Sequence, residues 1–152
     1  MDRPIYLDDL QVGQRFTTAT HGLDEPQIIA FAREFDPQPF HLDAARARDL
    51  VFGELVASGW HTAAITMRLL VTSGHDIAGG LIGLGGEIAW PAPARPGDVL
   101  QATVEVIAVT PSRSRPDRGT ATLRIETRNQ REETVQILTV KILVPRAAPR
   151  TP

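Results

Sequence analysis

Ser58-Gly59-Trp60-His61-Thr62-Ala63-Ala64-Ile65-Thr66-Met67-Arg68-Leu69-Leu70 is the stretch that decides the fold. Trp60, Ala63, Ala64, Ile65, Met67, Leu69 and Leu70 fall almost all round a helix, and a helix that is apolar on most sides has to be covered on most sides. Ser58-Gly59 suits its opening and Gly74 its end. The rest of the chain has to supply the cover.

Downstream the period changes from 3.6 to 2. In Val99 to Val109, Leu100, Ala102, Val104, Val106 and Ala108 point one way while Gln101, Thr103 and Glu105 point the other. Thr120 to Arg128 sets Ala121, Leu123 and Ile125 against Thr122, Arg124, Glu126 and Arg128. In Thr134 to Val144 the phase slips at Ile137-Leu138, as at a β-bulge, after which Leu138, Val140, Ile142 and Val144 carry the apolar set. Leu81 to Trp90 reads as a further strand. The short connection Asn129 to Glu133 suits an antiparallel hairpin. An α+β fold, with a mainly antiparallel sheet curled around the helix, satisfies both patterns.

Upstream, Asp24 caps a helix with Pro26 in its first turn and Ile28, Phe31, Ala32 and Phe35 on one face, ending near Asp36. Asp43 caps a shorter one through Ala44, Ala45 and Ala47. With 152 residues, 42% apolar and 22% charged, the chain reads as one globular domain over residues 1–145, followed by a mobile tail, 146–152. Sixteen basic and eighteen acidic side chains leave a net charge of −2, which argues against nucleic acid or a membrane surface as partner. The absence of cysteine excludes disulfides and thiolate chemistry. An acidic, proline-containing start is unlike a signal peptide, and no apolar run reaches the roughly 20 residues of a membrane span, so a cytoplasmic protein is expected.

Chemistry is concentrated in Phe35-Asp36-Pro37-Gln38-Pro39-Phe40-His41. Five positions apart, Asp36 and His41 would stand about 140° apart on a helix and on opposite faces of a strand. Pro37 and Pro39 keep Asp36 and Gln38 out of helical angles, so an irregular turn is expected, where a carboxylate and an imidazole can converge. The same dipeptides are also ordinary turn formers. At Ser58-Gly59 the free amides of a helix start can hold an oxyanion, and glycine lets a ligand carbonyl approach the backbone; glycine is equally an acceptable cap.

Together these residues resemble the hydratase-2 signature of the MaoC-like dehydratases and (R)-specific enoyl-CoA hydratases. Asp36, Pro39, His41, Phe52-Gly53 and Ser58-Gly59 match it in order and spacing. Pro93-Ala94-Arg95-Pro96-Gly97-Asp98 is similar to the family's Pro-x-x-x-Gly-Asp, and Ser112 to Gly119 to an arginine-rich connection in a subgroup. The likeness spans roughly residues 8 to 144. It implies a hot-dog fold, an antiparallel sheet wrapped around a long central helix and paired into homodimers or larger homo-oligomers. It also implies a hydro-lyase in which Asp36 and His41 activate water for addition to a trans-2-enoyl-CoA, or dehydrate the (R)-3-hydroxyacyl-CoA. The Gly59 amide, with Ser58, would hold the thioester carbonyl. No metal or cofactor is implied beyond the coenzyme A of the substrate.

The sequence departs from the signature at Gln38, where Asn is usual, at Phe35 and Phe40, which stand for smaller residues, and at Glu132, where a turn glycine is common. Gln38 offers the same donors and acceptor on a longer arm and so can still orient the loop or the water. Arg113, Arg115 and Arg118 are candidate contacts for coenzyme A phosphates. His61 reads as a core histidine, His21 and His75 lack metal-ligand spacing, and Trp60 and Trp90 read as core or interface anchors. The glycine-rich run Gly79 to Gly86 leads into a strand rather than a helix, unlike a nucleotide loop. Two other functions fit the same fold: thioester hydrolysis, and acyl-CoA binding without turnover. The lack of Asp or Glu between Trp60 and Leu70 favours the loop-based Asp36/His41 chemistry over hydrolysis.

Overall fold

The computed structural model describes residues 3–149; the last residues of the expected mobile tail, 150–152, lie outside the described part. In chain order the elements are β1 (Arg15–Gly22), α1 (Glu25–Phe35), α2 (Pro39–Leu42), α3 (Ala44–Ala47), α4 (Gly59–Thr72), β2 (Ile82–Ala89), β3 (Val99–Pro111), β4 (Arg118–Arg128) and β5 (Thr134–Pro145). The strands form one sheet in the order β1-β3-β4-β5-β2, every pair antiparallel, and α4 lies across it against β1, β3 and β5. This is the hot-dog arrangement, and it follows from the two periods. Alternation gives the sheet one apolar face, and that face can be buried only against the helix.

Three details differ from the sequence reading. In β3 a bulge between Val106 and Ala108 turns Ala108 out of phase, so Val109 rather than Ala108 joins the core beside Leu7, Val106 and Ala121. In β5 the irregularity falls at Val135, between the pairs Thr127↔Gln136 and Arg128↔Thr134, not at Ile137-Leu138. Gln136 belongs to the inward set, and its polarity disguises the alternation. It is fully buried because its amide donates to Thr66 Oγ1 at 3.3 Å and accepts from Trp90 Nε1 at 3.0 Å, while Thr66 and Thr127 share a 2.7 Å hydrogen bond. A buried polar side chain is tolerable only when satisfied in this way; an unpaired one costs roughly 1–3 kcal/mol.

The third difference concerns α4. Its caps are as expected, with Ser58 Oγ accepting from Trp60 N and Gly74 following at φ +84. Only one side of it is covered, however: His61, Thr62, Ile65, Thr66, Leu69 and Leu70 are buried, whereas Trp60, Met67 and Val71 are 59%, 40% and 47% exposed. Within one chain the five strands reach around only half of the helix. In the β4–β5 turn, Glu132 adopts φ 62, the left-handed conformation a glycine takes at no cost, and Asn129 Oδ1 holds the turn by accepting from the amides of Arg131 and Glu133. Beyond β5, Arg146 is paired with Asp8 and its amide donates to Asp117. Among the described residues, no helix is long and apolar enough to cross a membrane.

Candidate active site

The Asp36–His41 segment folds as a sharp link between two helices. Asp36 is the C-cap of α1 in a non-helical conformation (φ −153, ψ 65), and Gln38 is the extended N-cap of α2. Proline on each side enforces both conformations. Pro39, however, does not keep His41 in a loop as the sequence reading expects. It stands at the first position of the four-residue α2, where its missing N–H costs nothing, and α2 carries His41 back toward Asp36. His41 Nε2 lies 3.2 Å from Asp36 Oδ2, with both side chains largely buried.

The surroundings fix how the pair is protonated. His41 Nδ1 is 2.6 Å from the carbonyl oxygen of Val56, and since a carbonyl can only accept, Nδ1 carries a proton. Nε2 is therefore the nitrogen that faces the carboxylate. Partial burial of Asp36 works against its ionisation. Hydrogen bonds from Ser58 and Gln38 and the nearness of His41 together outweigh that, and they hold its carboxyl below the usual carboxylate range. Gln38 donates to Oδ1 at 2.5 Å, so the longer amide does reach the carboxylate. Removing that donor weakens the ionised form, so Gln38→Leu should raise the Asp36 pKa toward its ordinary value. The carboxyl 13C resonance read against pH measures this directly; an unmoved midpoint would mean that Gln38 is a bystander.

Asp36 and His41 open onto a cavity of about 390 Å³ whose other walls are Phe40, Phe52, Gly59, Thr62, Trp90 and the Pro91–Ala94 segment. The start of α4 thus faces the dyad, with fully buried Ser58 at its N-cap. Gly59 has a use the sequence does not disclose. A β-carbon there would fall 2.6 Å from the indole of Trp90, so the missing side chain is what lets Trp90 close over the helix start. Trp90 is held in turn by Gln136 and by edge-on contact with Trp60, ring centroids 5.2 Å apart. Neither Trp90 as a cavity wall nor the Val56 carbonyl is legible in the sequence. A backbone acceptor leaves no mark there, and a tryptophan at a strand end reads the same whether it packs a core or lines a cavity.

His61 lies outside this cavity. It is buried and stacked flat on Phe31, centroids 4.5 Å apart, and its Nδ1 has no partner among the described residues. Burial, with His21 and His41 adding, pushes its pKa down to about 4, so it stays neutral. The structure does not bring Arg113, Arg115 and Arg118 to the dyad of their own chain. The dyad shares its cavity with Trp90 and Pro91–Ala94, which follow the Ala89 end of β2; through β5 and β4 that end is level with the Val99 end of β3, and the arginines sit past Pro111 at the other end of this 13-residue strand. At about 3.3 Å per residue that separation rules out a direct contact. Among the described residues, no group of three His, Cys, Asp or Glu side chains stands together as metal ligands would.

Comparison with known proteins bears on the family and the fold. The family profile described as "MaoC like domain" matches residues 9–129. A crystal structure of a MaoC-like dehydratase from Rhodospirillum rubrum superposes with a TM-score of 0.92 at 57% identity, covering 95% of this chain and 99% of that one. An (R)-hydratase from A. caviae involved in PHA biosynthesis superposes at 0.73 with 28% identity, covering 90% and 98%. A 3-hydroxybutyryl-CoA dehydratase of Methylorubrum extorquens is 30% identical over 115 residues, 74% of this chain and 71% of its own length.

Proposed function

The chain belongs to the MaoC-like domain family, and from that membership we propose that it is a hydro-lyase that adds water across the double bond of trans-2-enoyl-CoA thioesters, or removes it from the (R)-3-hydroxyacyl-CoA. The observation that carries the proposal is the 3.2 Å contact between Asp36 Oδ2 and His41 Nε2 at the wall of a cavity, opposite the start of α4. A carboxylate and an imidazole in contact share one proton as a unit. The ionised Asp36 accepts the proton of the bound water as its oxygen bonds to C3. The proton then passes from Asp36 across 3.2 Å to the free Nε2 of His41, whose Nδ1 proton stays on the Val56 carbonyl, and Nε2 gives it to C2, made carbanionic, so the dyad ends as it began. Charge that builds on the thioester oxygen is met by the Gly59 amide, which no intrahelical acceptor uses.

The same reading pairs the protein with a second copy. The exposed stripe Trp60, Met67, Val71 on α4 meets the edge strand β2 through the Trp60–Trp90 contact, and Ile82 and Leu84 of β2 are themselves about half exposed. One continuous apolar face, bordered by a strand edge with unpaired backbone groups, is covered most simply by its own image across a two-fold axis.

The test is incubation of the purified protein with trans-2-butenoyl-CoA. Loss of the conjugated enoyl absorbance with no release of thiol supports the proposal. Release of free coenzyme A with the double bond intact would make the protein a thioesterase, and tight binding with neither change would make it a binding protein.

A further inference from the structure

Resting on that reading, of a hydro-lyase for enoyl thioesters, we propose that the hydroxyl of Thr62 is a further catalytic group, which donates a hydrogen bond to the thioester oxygen beside the Gly59 amide. The start of α4 has fewer free donors than a helix start usually offers. Ser58 Oγ accepts from the amide of Trp60 at 3.2 Å, and the Ser58 carbonyl accepts from those of His61 and Thr62 at 3.0 and 3.1 Å. Of the first four amides, that leaves Gly59 alone without an acceptor among the described residues. An oxyanion accepts more than one hydrogen bond, and a site that stabilises one is built from several donors. A single amide is an incomplete site.

Thr62 is placed to complete it. The residue is 2% exposed, and it lines the cavity shared by Asp36, His41 and Gly59. The other threonines of α4 are engaged, Thr66 with Thr127 at 2.7 Å and Thr72 with the carbonyl of Arg68 at 2.6 Å. The Thr62 hydroxyl makes no hydrogen bond among the described residues, and it is not sealed in the core as His61 Nδ1 is, so it is open to the cavity. Its direction follows from helix geometry. A helical side chain leans toward the N-terminus and covers the turn before its own Cα, which for Thr62 is the turn that begins with Gly59. The acceptor a helical threonine commonly takes, the carbonyl four residues back, is here that of Ser58, already shared by two amides. A hydroxyl that holds nothing in the free protein gives up no bond when it turns to the substrate, and its bond strengthens as charge builds on the thioester oxygen.

The test uses Thr62→Val, which keeps the shape of the side chain and removes the hydroxyl, and Thr62→Ser, which keeps the hydroxyl and removes the methyl group. With trans-2-butenoyl-CoA as substrate, Thr62→Val should lower kcat about a hundredfold, the loss expected for one oxyanion donor, and change KM by less than about threefold. Thr62→Ser should recover most of that loss. An unaltered kcat in Thr62→Val would overturn the proposal. So would a loss that Thr62→Ser shares in full, or a rise in KM alone, which would put the hydroxyl on a part of the substrate away from the thioester. Since the hydroxyl holds no partner, thermal unfolding of Thr62→Val should match that of the wild type; a clear fall in its midpoint would make the hydroxyl a support of the fold instead. The contact is also readable without turnover, from butyryl-CoA labelled with 13C at the thioester carbonyl, which has no double bond to hydrate. Its resonance should move downfield on binding to the wild type and clearly less on binding to Thr62→Val. If the wild type hydrates no enoyl thioester, the proposed reaction fails, and this shift still decides the contact: equal shifts in the two proteins, or no binding of the labelled thioester, count against Thr62.

Discussion

Asp36→Asn and His41→Gln each lower the rate of enoyl-CoA hydration about a hundredfold or more, the range of a general acid–base group, and the double variant is scarcely slower than the worse single one. The first part follows from chemistry: the amide that replaces the carboxylate cannot take a proton from water, and the amide that replaces the imidazole cannot accept that proton and release it to C2. The second follows from the shared contact. With the two groups 3.2 Å apart and passing one proton between them, removing either leaves the other without its partner, so the losses do not multiply. Steady-state kcat/KM for the three variants measures this. Losses that multiply would mean two independent groups, and rates near the wild type in both single variants would move the chemistry to another site.

Gly59→Ala lowers kcat/KM about tenfold or more and destabilises the fold, because the new methyl group and the Trp90 indole claim the same space at 2.6 Å. The indole cannot swing away without cost. It leaves Gln136 with an unpaired, fully buried amide oxygen, worth roughly 1–3 kcal/mol, and it opens a wall of the cavity. A second substitution separates the clash from the chemistry. In Gly59→Ala/Trp90→Ala the clash is gone, so the destabilisation contributed by Gly59→Ala should shrink relative to its effect in the native background, a coupling that a double-mutant cycle reads. Thermal unfolding of the four proteins measures it; additive effects would mean that Gly59 and Trp90 do not interact as described.

Much of this architecture is written locally in the chain. The alternation of β4 and the caps Asp24, Asp43 and Ser58 depend on neighbours a few residues away, and their elements form where those signals stand. The dyad is legible for the same reason: two prolines dictate its backbone within six residues. What escapes depends on distant partners. Gln136 turns inward only because Thr66 and Trp90 wait there, and β3 slips at Ile107 where it keeps register with β4. The all-round apolar surface of α4 does call for cover, but the five strands of the same chain cover one side of it. Chemistry alone groups Arg113, Arg115 and Arg118 with the site, and nothing in their spacing says which end of a 13-residue strand the site occupies.

Hydration of trans-2-butenoyl-CoA in deuterated water, followed by NMR and chiral analysis of the product, bears most directly on the Asp36–His41 dyad. A water processed on one side of the substrate by two groups in contact should give (R)-3-hydroxybutyryl-CoA carrying one deuterium at C2, on the same face as the new hydroxyl. Deuterium on the opposite face, or an intact double bond beside liberated coenzyme A, would contradict it.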